Sequence, residues 1–176
     1  MTHPGIPNSA YLHTDPITDI EFLEVPEVHT VIANFTDHPM TDMASTFDAT
    51  FRALFPALAA HGLTPAGPAF ALHYRMPTDT ATFEVGVPVN AALDNEFTTD
   101  AGVTLTPSTL PAGRVARVSH LGPYERLGES WGTFMQSIAA SGTQPSLPFW
   151  EVYVTEPTPD ADPTTLRTDL YSRLAD

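Results

Sequence analysis

The sequence contains no cysteine and no lysine. The first absence excludes disulfides, thiolate catalysis and cysteine-ligated zinc together, and it fits a cytoplasmic setting. The second leaves arginine as the only basic partner to twenty-one Asp plus Glu, for a formal net charge of −14. Such a chain repels phosphate backbones and anionic lipid surfaces, so neither direct nucleic-acid binding nor membrane binding is expected. Acidity serves solubility first, and beyond that it attracts cationic ligands. No apolar run reaches the ~18 residues of a membrane-spanning helix. Met1-Thr2-His3-Pro4-Gly5-Ile6-Pro7 lacks the basic and apolar segments of a secretory signal. A glycine-rich phosphate loop is missing too, since Gly62 to Pro68 holds only scattered Gly and Pro.

The histidines do not supply a metal site. His3, His13, His29, His38, His61, His73 and His120 show no HxH, HxxxH or HExxH spacing, so no metal and no other cofactor is expected. His73, beside Tyr74 in a strand-like run, could line a groove, but it reads first as a structural histidine with its nitrogens satisfied. Gly128-Glu129-Ser130-Trp131-Gly132 loosely matches Gly-x-Ser-x-Gly. That motif works at a strand-to-helix turn, whereas Ser130 falls inside a helical pattern, so Ser130 is rejected as a nucleophile.

The 176 residues suit a single domain. Residues 1–18, rich in Pro, Thr, Asp and Asn, read as a tail or an added strand, and 19–176 as the folded domain. Ile20 to Val25 and His29 to Phe35 read as strands. Asp37 to Asp42 reads as a loop in which Thr41 or Asp42 caps a helix. Met43, Phe47, Phe51, Leu54 and Leu58 recur every three or four residues on one helical face, and Gly62 stops the helix. Pro56 lacks an N–H, so a kink or a split into two short helices is expected there.

Phe70 to Met76 and Thr82 to Val89 read as an antiparallel hairpin. After a polar connection over 90–101, Arg114 to His120 reads as a strand, broken by Gly122-Pro123. Leu127, Trp131, Phe134, Met135 and Ile138 stripe a second helix that ends at Gly142. Phe149 to Val154 and Leu166 to Ser172 are the last strands, on either side of a Pro/Asp-rich turn at 156–163. Both halves thus run β-α-β-β, repeat one over 19–90 and repeat two over 102–174. The fold class expected is α+β: a duplicated β-α-β-β unit with an antiparallel sheet, two main helices on one side, and a central cleft that favours a ligand.

One strand carries the chemistry. Side chains alternate along a strand, so Phe149, Glu151 and Tyr153 share one face while Trp150, Val152 and Val154 share the other. A carboxylate between two aromatics suits a lipophilic cation, through cation–π attraction and Coulomb attraction in a low dielectric. Burial would also raise the pKa of Glu151 and fit it for general acid work. By pattern alone, however, a strand glutamate belongs to the solvated face and its aromatic neighbours to the core.

The order of the motifs resembles the GyrI-like small-molecule-binding family, related to the effector-binding domains of bacterial multidrug-responsive transcription activators. The residues that carry the resemblance are Leu110-Pro111-Ala112-Gly113 and His120-Leu121-Gly122-Pro123-Tyr124-Glu125-Arg126-Leu127, then Trp150-Glu151-Val152-Tyr153, Glu156-Pro157 and Thr168-Asp169-Leu170-Tyr171. Phe83 to Val89 resembles the paired segment of the first half. The match spans about residues 20–174.

The resemblance implies an SHS2-type tandem with a central pocket, into which a glutamate at the position of Glu151 reaches to meet cationic aromatic compounds. It thereby reverses the pattern-only reading of that residue. Glu151, Tyr153, Phe149, Trp131, Tyr74 and Tyr171 are the candidate ligand-binding residues of a stand-alone binding domain for sensing, sequestration or drug resistance. Some stand-alone relatives look like hydrolases of cyclopropane-bearing natural products. On that reading Glu151 and Tyr153 are catalytic, with Glu151 positioning or activating water and Tyr153 or Tyr171 donating a proton to the leaving oxygen. A third reading is a protein-interaction module such as a gyrase inhibitor. The stretch before residue 20 is too short for a helix-turn-helix domain, and the expected assembly is a monomer or a dimer.

Overall fold

The computed structural model describes residues 15–155 and 162–175. Most of the tail at 1–18, and Glu156-Pro157 with most of the turn at 156–163, lie outside the described residues. The strands are β1 (Glu21–Val25), β2 (Val28–Pro39), β3 (Ala69–His73), β4 (Thr80–Pro88), β5 (Phe97–Thr98), β6 (Thr104–Leu110), β7 (Gly113–Leu121), β8 (Pro145–Tyr153) and β9 (Arg167–Leu174). The helices are α1 (Met43–Ala60) and α2 (Leu127–Ala140). The strands form one antiparallel sheet in the order β1-β7-β9-β8-β3-β4-β2-β6-β5. The fold is α+β, as the alternating patterns predict.

The sheet must curl. β1 and β2 stand six places apart in the sheet, about 29 Å if it were flat. Yet only Pro26 and Glu27 join them, a link whose Cα trace reaches at most about 11 Å. The enclosed face accordingly gathers Val25, Val28, Phe70, Leu110, Trp150 and Tyr171 from six strands into one core. Gly86 lies on this face opposite Ile32, where an added Cβ would come 2.1 Å from the Val31 carbonyl oxygen. Only a glycine permits that approach.

The outer face carries both helices. Leu54 and Leu58 of α1 pack on Val31 and Val87, and Phe134 and Ile138 of α2 pack on Ala116 and Leu170. Each large side chain buried this way contributes roughly 1.5–3 kcal/mol. Two local expectations are corrected. α1 runs as a single helix through Pro56 rather than as two short ones, because Leu54 and Leu58 on either side of it are held in the same cluster. β2 continues through an irregularity at Phe35 to His38 as far as Pro39, where a loop was expected, and Asp42 precedes α1 without a side-chain capping bond.

Segment 15–20 is tied to the sheet through Ile17, whose N–H donates to Ser119 Oγ and whose carbonyl accepts from Ser119 N–H. No helix among the described residues is long and apolar enough to cross a membrane.

Candidate functional site

Pairing of β3 with β8 at the middle of the sheet decides what surrounds Glu151. Phe149, Glu151 and Tyr153 alternate onto the helix-bearing face. Across β3 their partners are His73, Ala71 and Ala69, and the next partners of His73 and Ala71 on β4 are Phe83 and Val85. Glu151 therefore stands over a small residue, Ala71, with α1 on one side and α2 on the other.

Trp131, one turn into α2, donates its Nε1–H to Glu151 Oε1 at 3.1 Å, and Tyr153 donates its hydroxyl to Oε2 at 3.2 Å. From Trp131 a circuit of rings continues. Trp131 meets Phe149 edge-on at 4.9 Å between centroids, and Phe149 stacks on His73 at 5.2 Å. His73 adjoins Phe83 at 5.5 Å, Phe83 adjoins Phe47 of α1 at 5.9 Å, and Phe47 meets Tyr153 at 6.0 Å. Those separations are the favourable range for aromatic pairs. The circuit closes on the glutamate where it began, and none of its members is Arg. Tyr124, at the approach to α2, meets Tyr153 edge-on at 6.1 Å.

The electrostatics follow from this enclosure. Burial raises the Glu151 pKa above its ordinary value, against the opposing hydrogen bonds from Trp131 and Tyr153 and the positive charge available at His120. Burial pushes the Tyr153 phenol well above its usual range, and the negative charge of Glu151 adds to the shift. Tyr124 is raised for the same two reasons. His73 is lowered to about 4, first by burial and then by Arg75, so its ring is neutral. All four shifts discourage charge, and burial is the leading cause of each.

His120 positions the α2 side of the site. Its Nε2 lies 3.0 Å from the Pro123 carbonyl and its Nδ1 2.5 Å from Ser130 Oγ. A carbonyl only accepts, so Nε2 carries the proton, and in the neutral ring Nδ1 accepts from the Ser130 hydroxyl. This clasp fixes the segment bearing Tyr124 and Trp131 against β7. Ser130 lies within α2, as its helical pattern predicts.

Of the six side chains proposed from sequence, Glu151, Tyr153, Phe149 and Trp131 come together. Tyr171 does not join them. It pairs with Trp150 across β8 and β9, stacks on it at 5.6 Å, and is sealed in the core of the enclosed face, where burial pushes its phenol up to about 12. Tyr74, one residue past His73, also turns to the opposite face and donates its hydroxyl to Glu84. Sequence reasoning missed Phe47, Phe83 and Tyr124 as members of the site and His120 as its clasp. Strand alternation would have placed Phe83 opposite His73 once the β3–β4 register was known. His73 was read as satisfied, yet its Nδ1 is buried without a hydrogen-bond partner.

Two cavities open elsewhere. One of about 260 Å³ is bounded by His29, Thr30, Leu93 and Ser108. The other, of about 480 Å³, lies between residues 18–20, β7 and α2, with Ser130 and Phe134 on its wall. Among the described residues no three His, Asp or Glu side chains converge as a metal site would require.

A lone carboxylate ringed by aromatics between two helices on a curled sheet is the build of a small-molecule-binding domain. The chain belongs to the GyrI-like small molecule binding domain family, whose sequence profile matches residues 18–175. Among solved structures, the EcmrR C-terminal domain superposes with a TM-score of 0.73 at 18% identity, over 89% of this chain and 97% of that one. In the EcmrR–DNA complex the same similarity spans only 57% of the EcmrR chain. A hydrolase from Listeria innocua superposes at 0.63 with 12% identity, over 92% of this chain and 94% of that one. SAV2435 bound to tetraphenylphosphonium superposes at 0.58 with 12% identity, over 90% of this chain and 94% of that one. At these identities the structures share the fold. No curated protein matches the chain.

Proposed function

We propose that the chain is a cytoplasmic domain that takes a lipophilic aromatic cation between α1 and α2, with Glu151 as its counter-ion. The observation that carries this reading is the closed circuit from Trp131 through Phe149, His73, Phe83, Phe47 and Tyr153 back to Glu151. Aromatic faces attract a cation, and the carboxylate supplies the charge that the low-dielectric surroundings leave unbalanced. SAV2435, of the same fold, has been solved with tetraphenylphosphonium, which makes that ion the natural first probe. The ring side chains touch one another, so a ligand is admitted by turning Trp131 and Tyr124 aside or by parting the helices. We read residues 19–90 and 102–174 as two copies of one unit, joined through β3 and β8, with the ligand at their junction.

The test is calorimetric titration of tetraphenylphosphonium and of neutral triphenylphosphine oxide into the native chain and Glu151→Gln. Loss of at least tenfold in affinity for the cation, with the neutral compound unchanged, is the expected result. Equal loss for both compounds would remove the counter-ion role.

A second reading is favoured by the contact of the Tyr153 hydroxyl with Glu151. On it the chain hydrolyses a cyclopropane conjugated to a carbonyl. Glu151 takes a proton from the attacking water, the C–O bond forms as the ring C–C bond breaks, and the electron pair moves to the carbonyl oxygen, which Tyr153 protonates. Mass spectrometry of such a compound incubated with the protein decides it: a water adduct formed no faster than in buffer would exclude that substrate class.

A further inference from the structure

Two polar rings of the circuit, Trp131 and Tyr153, donate to Glu151; the third, His73, stands apart from the glutamate. Between Glu151 and His73 lie Trp131 and Phe149 on one side and Tyr153, Phe47 and Phe83 on the other. The imidazole is 5% exposed, lies nearly parallel to Phe149 with an interplanar angle of 8°, and leaves its buried Nδ1 without a hydrogen-bond partner. A buried polar atom without a partner is costly and uncommon in folded proteins, and each one calls for a physical explanation. Phenylalanine would stack as well against Phe149 and would leave nothing unsatisfied, so stacking alone does not account for a histidine here.

We propose that His73 is a second polar contact of the bound molecule, reading an N–H or O–H group at the end away from the charge paired with Glu151. The ligand class thereby narrows to aromatic cations that carry their own hydrogen-bond donor. The neutral imidazole does not repel a cation, and in the tautomer with its proton on Nε2 the Nδ1 lone pair accepts from the donor. This inference rests on the cation-binding role of the Glu151 circuit.

The test uses two cations matched in shape. 9-Aminoacridinium offers N–H donors, whereas 10-methylacridinium offers none, and both are fluorescent. Titrated into the native chain and His73→Phe, the amino compound should lose about tenfold in affinity on substitution, the worth of one hydrogen bond, while the methyl compound changes less than twofold. In the native chain, the ¹⁵N resonances of the His73 ring should move on adding 9-aminoacridinium and stay in place with 10-methylacridinium, a readout that needs no variant to fold. Equal responses to the two dyes, in affinity or in resonance, would make His73 a packing residue and overturn the inference alone. Failure of both dyes to bind the native chain would overturn the cation-binding role of Glu151, and this inference with it.

Discussion

Replacing His73 by Phe should remove a specific acid sensitivity from the fold. Burial and the nearby Arg75 depress the His73 pKa from 6.5 to about 4, so the folded chain holds the ring neutral. The stability that depends on the neutral ring is intact above the unfolded-state pKa of 6.5. It is lost as pH falls from there toward about 4, because the unfolded chain binds the proton first. At about 1.36 kcal/mol per pH unit, the loss attributable to this ring is roughly 1.4 kcal/mol at pH 5.5 and roughly 2.5 kcal/mol at pH 4.5. Phe keeps the stack on Phe149 and cannot titrate, so His73→Phe should lack this component while sharing every other acid-linked change. Urea denaturation of both chains between pH 7.5 and 4.5 measures it as a widening gap in favour of the variant. Parallel curves over that range would refute the reasoning, because they would mean that the ring charges without penalty in the fold.

Three further perturbations probe other parts of the structure. Glu151→Gln should become progressively more stable than the native chain as pH rises from below 4.5 toward 8. The raised Glu151 pKa favours the protonated carboxyl in the fold, and that advantage is lost as pH rises through the folded value; thermal denaturation across that range checks the sign. Gly86→Ala should cost about 3 kcal/mol or more in urea, because the new Cβ meets the Val31 carbonyl oxygen, a backbone atom that cannot yield. Asp169→Ala should cost about 3–5 kcal/mol by the same assay, since it removes the carboxylate from the buried Arg167 ion pair at 2.9 Å.

How far the sequence reveals this site depends on the range of the interactions involved. Alternation along β8 is a local property, so it correctly put Phe149, Glu151 and Tyr153 on one face. Helical periodicity likewise placed Trp131 on the stripe of α2 that faces the sheet. The rest of the circuit is long-range. His73 and Phe83 reach Glu151 only because β3 pairs with β8, a register joining residues nearly half the chain apart. Phe47 arrives because α1 lies over β4.

The face of Tyr171 is set by its pairing with Trp150, and nothing within its own strand reports that. The curl of the sheet, which builds a second core from Trp150, Tyr171 and Phe70, is also invisible locally. It follows from the strand order combined with the two-residue link between β1 and β2. Pro56 shows the converse. Its local preference is real, but burial of Leu54 and Leu58 on either side of it outweighs that preference.

The most direct test of the account is a crystal structure of the chain with tetraphenylphosphonium. The ion should lie between α1 and α2, with its phenyl groups against Trp131, Phe149 and Tyr153 and its phosphorus facing the Glu151 carboxylate. An ion found instead in the cavity between Ile20, β7 and α2, with the Glu151 circuit still closed, would contradict it.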